Sequence, residues 1–341
     1  MPSIKEVAAL AGVSKSTVSN VFVGGVPVRD ATRRKVLAAA EALRYRPHAP
    51  AQTLRTGRSK VIGLCVFFVT GPAIAGVIQG ATQEAYGKGY SVFICALDSD
   101  ADLERTHVNL LLGQRAAAVV SYASSDDPSG YLELQRAGTP VVFVGSRPPG
   151  IEADLIMPDY REAVFAATSG LLASGRHRIG LLTGPLQRVT SVAGLEGYRE
   201  AHAAADVPLP EGLVIASIRN STDARAAAAE LLARGIDALV AGLPSLSFGA
   251  VACLLDRGVR VPEDVAFIGS GDIGWARLVR PPLTMIGMDA EELGRRAMAL
   301  ALERLDPRTE GLPARTVLLP LRLAVRASSD PVVRAEAPVT P

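Results

Sequence analysis

From Val61 onward, short apolar runs alternate with amphipathic stretches of helical period, and the alternation runs through twice. The first pass predicts strands near 61–68, 90–97, 116–123 and 139–145, with helices near 72–88, 101–114 and 130–138 between them. The second predicts strands near 178–184, 213–217, 237–243, 265–271 and 283–288, and helices near 160–175, 189–205, 222–234 and 246–257. Strand–helix units in series build parallel sheets with right-handed crossovers. Because the rhythm runs twice, two doubly wound lobes are expected in place of one large sheet.

The first sixty residues follow a different rule. Residues 4–22, IKEVAALAGVSKSTVSNVF, describe two short helices joined by a tight turn. Val7, Ala8, Leu10 and Ala11 recur at helical spacing, and Val13, Val18, Val21 and Phe22 supply the apolar side that packs against them. Gly12 tolerates the left-handed backbone of a sharp helix exit, and Ser14 is placed to cap the second helix. Lys15, Ser16, Ser19 and Asn20 then share an outward face. Residues 28–43 form a third amphipathic helix, with Val36, Ala39, Ala40 and Leu43 on one stripe. A helix-turn-helix of this kind fits the DNA major groove. A three-helix packing module with a solvated polar face would show the same periodicity, so charge has to separate the two. Residues 1–60 hold 11 Lys plus Arg against 3 Asp plus Glu, whereas the remaining 281 hold 25 against 31. A head of +8 on a body of −6 is what a phosphate-binding module attached to a non-binding domain requires.

Composition excludes several classes. With 48% hydrophobic and 21% charged residues the chain is globular, and no apolar run approaches the ~18 residues of a membrane span. Lys5 and Glu6 interrupt any signal-peptide core, so a cytoplasmic protein with no membrane partner is expected. Cys65, Cys95 and Cys253 are odd in number and far apart, and read as buried thiols. His48, His107, His177 and His202 are equally scattered, so no metal site, cofactor or catalytic residue is assigned. One enzyme-like motif stands out. Gly269-Ser270-Gly271-Asp272-Ile273-Gly274 follows an apolar strand in a G-x-G-x-x-G pattern, with Asp289 beyond it, as in dinucleotide-binding turns. The helix that would carry the pyrophosphate is missing, because the WARLVR run meets Pro281 and Pro282.

Taken in order, the helix-turn-helix, the third helix, Arg46-Pro47, a short Ala51-to-Leu54 segment, the RTGRS run at 55–59 and the first strand resemble the lactose-repressor (LacI/GalR) family of bacterial transcription regulators. Gly197-Tyr198, the VPEDVAFIG run at 261–269, the PPLT at 281–284 and the EELGRRA at 291–297 extend the resemblance over essentially the whole chain. It implies a helix-turn-helix domain at 1–46, a hinge helix and linker at 47–60, a two-lobe periplasmic-binding-protein-like domain for effector binding and dimerisation at 61–327, and a disordered tail at 328–341. Crossings between lobes are placed near Asp159, Asp289 and Leu318, so that the helix at Glu291 to Arg304 returns to the first lobe. Function is then a repressor that binds a palindromic double-stranded operator as a homodimer, with a tetramer as the larger assembly. Lys15, Ser16, Ser19 and Asn20 face the DNA, Ser14 and Thr17 bind phosphates, and Leu54 and Ala51 form the hinge wedge and its close helix contact. An NAD-dependent enzyme with a DNA-binding head, and a regulator with a vestigial cleft, are the alternatives.

The effector cleft is where the chain departs from that family. Sugar- and purine-binding members carry an aromatic pair, an Arg, an Asn-Asp pair and an Asp at positions where this chain has Ala73 and Ile74, Gly194, Leu243 and Pro244, and Gly271. A polyol buried there would leave hydroxyls unpaired, at roughly 1–3 kcal/mol each. The expected lining is Ile74, Arg147, Arg188, Leu243, Ser245, Asp272 and Trp275, with Asp159 and Ser270 as further polar groups. Gly145, Gly194 and Gly271 are expected to enlarge the space, so the effector expected is a larger, more apolar, non-sugar small molecule, the alternative being constitutive DNA binding.

Overall fold

The computed structural model describes residues 2–23, 26–45, 58–67, 69, 72–98, 100–271 and 274–329. Helix α1 (Ile4–Ala11) starts at Ser3, whose backbone N–H and hydroxyl both donate to the Glu6 carboxylate, at 2.6 and 2.8 Å. Those two bonds, the backbone one first, hold the Glu6 carboxyl below its ordinary range. The helix ends at Gly12, in the left-handed region at φ 64°. Helix α2 (Lys15–Val23) follows, then α3 (Asp30–Ala42). Val7, Ala8, Val18, Val21, Val36, Ala39 and Ala40 form the core of this head, and Phe22 meets Tyr45 edge-on at 5.9 Å. Leu10 corrects the sequence reading, for it is 58% exposed. At about 100° per residue, Ile4, Val7, Ala8 and Ala11 fill one arc of α1, and Leu10 lies more than a quarter-turn from its centre.

The body is built on two six-stranded sheets. In the first lobe β1 (Val61–Val66) is central, flanked by β2 (Ser91–Ala96) and β3 (Ala118–Ser121), with β4 (Val141–Val144) and β5 (Asp154–Pro158) beyond β3. Helices α4 (Pro72–Gly87), α5 (Ala101–Gly113) and α6 (Ser129–Arg136) connect them. The second lobe holds α7 (Tyr160–Ala173), β6 (Ile179–Leu182), α8 (Val189–Ala204), β7 (Val214–Ile215), α9 (Ser221–Ala233), β8 (Ala238–Ala241), α10 (Pro244–Asp256), β9 (Ala266–Ser270) and β10 (Thr284–Gly287). The chain then recrosses. Helix α11 (Ala290–Glu303) and β11 (Thr316–Leu319) belong to the first lobe, where β11 pairs in parallel with β5. Finally β12 (Arg322–Ala324) pairs antiparallel with β10. The three crossings fall at the expected places. β5 was not expected as a strand, because DLIMP is short and bounded by an acid and a proline; all five residues are buried under both layers.

Helix seams are set by glycine. A Cβ on Gly80 of α4 would stand 1.9 Å from the Glu291 carbonyl oxygen of α11, and one on Gly294 would stand 2.0 Å from the Val77 oxygen. Gly197 of α8 meets Arg161 of α7 in the same way at 2.1 Å, and Gly249 of α10 meets Ser221 of α9 at 2.0 Å. Backbones in contact leave no room for any side chain at these four positions.

Two residues that the sequence reading put in the tail, Ser328 and Ser329, are held against strands of the second lobe. Ser328 is buried, accepts from the Thr284 N–H through its hydroxyl at 2.7 Å and donates to the Phe267 carbonyl at 2.7 Å. Ser329 is buried too, its hydroxyl 2.7 Å from that of Thr284. Hydroxyls that close the ends of β9 and β10 give no apolar signal, which is why composition alone assigned them to the tail.

Two buried ionisable groups carry testable consequences. Asp154 on β5 is 2% exposed and pairs with Arg304 at 2.7 and 2.8 Å, while also accepting from the Arg315 N–H at 2.8 Å. Burial alone would raise its carboxyl, but the Arg304 guanidinium and the Arg315 N–H outweigh it and hold it below its ordinary value. Asp154→Asn strands the Arg304 charge, and a loss of about 3 kcal/mol is expected in urea unfolding. His202 on α8 is 1% exposed and lies against Tyr198 at 4.7 Å, and burial lowers its imidazole pKa. The folded chain therefore favours the neutral ring. Its contribution is full above the ordinary histidine value near ~6.5 and is lost as pH falls toward the lowered folded one. Unfolding curves from neutral to mildly acidic pH are expected to show that loss, and His202→Gln to flatten it.

Candidate DNA-binding surface and ligand cleft

The cap of α2 brings the predicted DNA-facing side chains together. The Ser14 hydroxyl accepts from the Thr17 N–H at 3.1 Å and lies 2.7 Å from the Ser16 hydroxyl and 2.8 Å from that of Thr17. An N-cap of this kind satisfies a backbone donor that a helix start otherwise leaves open. It also sets three hydroxyls side by side at the positive end of the helix, with exposed Lys15 beside them. Ser19 and Asn20 follow one turn later, half-buried at the edge of the same face. Opposite them, Val18 and Val21 are held in the core of the head. Thus all six predicted side chains sit on one short helix or its cap. Ala51 and Leu54 lie outside the described residues.

The predicted cleft residues all fall after the carboxyl ends of strands, where open α/β sheets bind ligands. They are not equally available. Ile74, after β1, is half-buried against the first-lobe core. Arg147, after β4, donates to the Ala153 carbonyl at 2.8 Å and so ties down its own loop. Arg188, before α8, and Ser245, in the first turn of α10, are exposed. Asp159 caps α7 by accepting from the Glu162 N–H at 3.2 Å. Ser270 is withdrawn altogether. It is 1% exposed, its hydroxyl donates to the Ala241 carbonyl and its N–H to the Ser247 hydroxyl. Trp275 packs half-buried on the second-lobe core and meets exposed Phe248 edge-on at 5.9 Å. Asp272 lies outside the described residues.

The glycines do not all enlarge the space. Gly271 has φ 79°, and a Cβ there would stand 2.8 Å from that of Pro244, so the room beside it is taken. A Cβ on Gly194 would touch Val164 at 3.5 Å, in the seam between α7 and α8. Gly145 alone of the three has nothing within 4 Å. Leu243 also closes in, its Cδ1 lying 2.7 Å from where a Gly184 Cβ would be.

Sequence reasoning missed three features here. Phe67 and Tyr122, after β1 and β3, form an aromatic pair at 5.6 Å, which strand patterning hid because both residues read as strand ends. The Ser191 hydroxyl in α8 is buried with no hydrogen-bond partner. Behind the β3 end, Glu104 of α5, 2% exposed, accepts from Tyr131 at 2.5 Å and from the Ser124 and Ser125 N–H groups at 3.0 and 2.9 Å. That carboxylate fixes the loop at 124–125.

The dinucleotide motif does not build its site. After Gly274 comes one short 3-10 turn, Gly274–Arg277, in place of a helix. Among the described residues there is no group of three or more metal-ligating side chains and no helix long and apolar enough to cross a membrane.

Comparison with known proteins agrees with this layout. A family profile described as bacterial regulatory proteins, lacI family, matches residues 3–48, and one described as periplasmic binding protein-like domain matches residues 168–329. The HTH-type transcriptional repressor PurR of Mannheimia succiniciproducens is 31% identical over 308 residues, 89% of this chain and 92% of that protein. The ribose operon repressor of Escherichia coli K12 is 30% identical over 308 residues, 89% and 93% of the two chains. Among solved structures, the transcriptional regulator CelR–cellobiose complex superposes with a TM-score of 0.70 at 31% identity, covering 96% of this chain and all of that one. The Lac repressor dimer bound to operator and an anti-inducer gives a TM-score of 0.79 over 96% of this chain and 99% of that one; at 24% identity it speaks for the fold alone. Similarity of this extent, over both the helical head and the two-lobed body, means that the chain belongs to the lacI family of bacterial regulatory proteins.

Proposed function

We propose that the chain is a transcriptional repressor that binds a two-fold symmetric operator as a homodimer. The observation that carries this reading is the α2 face, where a serine-capped helix start, exposed Lys15 and Asn20 stand on one side of a packed three-helix head of strongly positive charge. In this reading Lys15, Ser16 and Asn20 read base edges, Ser14 and Thr17 hold phosphates, and Ser19 lies along the groove. Leu54 and Ala51 act in the minor groove, as the family resemblance implies. Footprinting of the purified protein on the DNA upstream of its own gene tests the reading; protection of a palindromic site supports it, and uniform, salt-sensitive protection alone counts against it.

Two exposed apolar surfaces support the dimer. On the first lobe, edge strand β2 leaves Phe93 and Ile94 46% and 40% exposed. On the second, Phe248, Leu255 and Leu278 are 62%, 57% and 77% exposed. Exposed apolar side chains of this size, on an edge strand and on α10, suit contact with another chain. Phe248→Asp is expected to move the sedimentation coefficient from dimer toward monomer.

For the cleft the reading is a small, mainly apolar effector and not a sugar. Leu243, Ile74 and the Phe67–Tyr122 pair supply the apolar contact, and Arg188, Ser191 and Ser245 the few polar groups. No response to common monosaccharides or purines is expected. A true effector at 100 times its dissociation constant stabilises the fold by about 2.7 kcal/mol, which a melting scan resolves. A clear melting shift with a simple monosaccharide, abolished in Arg188→Ala, would overturn the apolar assignment.

Base readout gives the sharpest expectation. Asn favours adenine through N6 and N7, whereas Arg favours guanine. Asn20→Ala is expected to lose roughly 1–3 kcal/mol of operator binding and to relax preference at one base pair per half-site. An unchanged sequence logo from a binding selection would remove Asn20 from the readout.

A further inference from the structure

Residues 58–60 are fastened at three points along the amino ends of the first-lobe strands. The Arg58 guanidinium donates to the Gly138 carbonyl at 2.7 Å, across the turn between α6 and β4. The Ser59 N–H donates to the Arg115 carbonyl at 2.9 Å, in the turn between α5 and β3. The Lys60 carbonyl accepts from the Ser91 N–H at 2.9 Å, and its ammonium stands 4.3 Å over the Tyr90 ring at the start of β2. Both turns are tight. Arg115 and Gly138 have φ of 49° and 78°, and each follows the end of a helix.

Of these contacts only the one from Arg58 is made by a side chain to a carbonyl distant in sequence, and Arg58 itself is exposed and adds nothing to the apolar core. An exposed arginine held to a backbone carbonyl some 80 residues away positions chain, since burial gains nothing there. We propose that Arg58 is a positioning residue for DNA binding, whose clip onto the Gly138 carbonyl fixes where and in which direction the chain from the DNA-binding head enters the first lobe. The inference rests on the operator reading above. Two heads in a dimer must reach two half-sites at once, so slack at the point of attachment lowers the effective concentration of the second head and blurs the spacing it prefers.

The experiment uses the full-length chain and operator duplexes whose half-sites are moved apart or together by one base pair. For Arg58→Ala, binding at the natural spacing is expected to weaken about three- to tenfold, the scale of one hydrogen bond to a partly screened charge. Preference among spacings is expected to flatten, while the melting midpoint of the body and the slope of affinity against salt stay as in wild type. Arg58→Lys keeps a donor that reaches one carbonyl, and is expected to recover part of both affinity and spacing preference. A reduced salt slope with unchanged spacing preference would make Arg58 a phosphate contact and overturn the proposal. So would a fall in the melting midpoint that accounts for the lost affinity, or no change in either quantity. A wild-type chain that binds no duplex removes the operator reading, and the inference with it; a wild-type chain that binds and discriminates spacings, beside an alanine variant that does so equally well, removes the inference alone.

Discussion

The seam between α4 and α11 holds the first lobe together, and it cannot form until the chain has passed through the second. Helix α11 and strand β11 reach the first lobe only after β10, yet α11 supplies Leu293, Ala297, Met298 and Ala301 to the core beneath β1 and β3. Gly80 and Gly294 let the two helix backbones touch, and Asp154 on β5 receives Arg304 from the end of α11. The first-lobe sheet is therefore completed by its most distant segments in sequence. Closure of this kind ties the two lobes through three short crossing segments, after β5, β10 and β11.

Much of this was legible in the sequence, and the reason is periodicity. Parallel strands buried on both faces read as unbroken apolar runs, and the helices between them keep a 3.6 period. The strands and helices from β1 to β10 could therefore be placed apart from β5, whereas β11 and β12 were not foreseen. The misses share another physics. DLIMP at β5 is a strand because β4 and β11 flank it, and its first residue is a buried carboxylate whose partner, Arg304, lies far along the chain. Ser328 and Ser329 are ordered by hydrogen bonds to strand ends, which no hydropathy pattern records. Leu10 failed for the opposite reason, since spacing made it look like core while three short helices cover only a narrow arc.

Legibility of the two sites differed in the same way. The residues proposed to face DNA lie within one short helix and its cap, so sequence adjacency is spatial adjacency there. The cleft draws on loops after β1, β3, β4, β6, β8 and β9, and there the identity of a residue did not reveal its engagement. Arg147 and Ser270 looked free in the sequence and are spent on backbone carbonyls, while Gly271 looked like space and is filled by Pro244. With those two polar groups spent, a polyol would find fewer partners than the sequence suggested.

The two ends of the first-lobe strands face different tasks. At the carboxyl end, β3 runs into Tyr122 and the loop that Glu104 holds, and β4 into Gly145 and the loop that Arg147 holds. At the amino end, the same two strands begin just after Arg115 and Gly138, the carbonyls that receive Ser59 and Arg58. Both strands are four residues long and buried throughout. Coupling between ligand and DNA needs an element whose two positions both sites can bias. β3 and β4 are the strands that run between the loops held by Glu104 and Arg147 and the turns that receive Ser59 and Arg58.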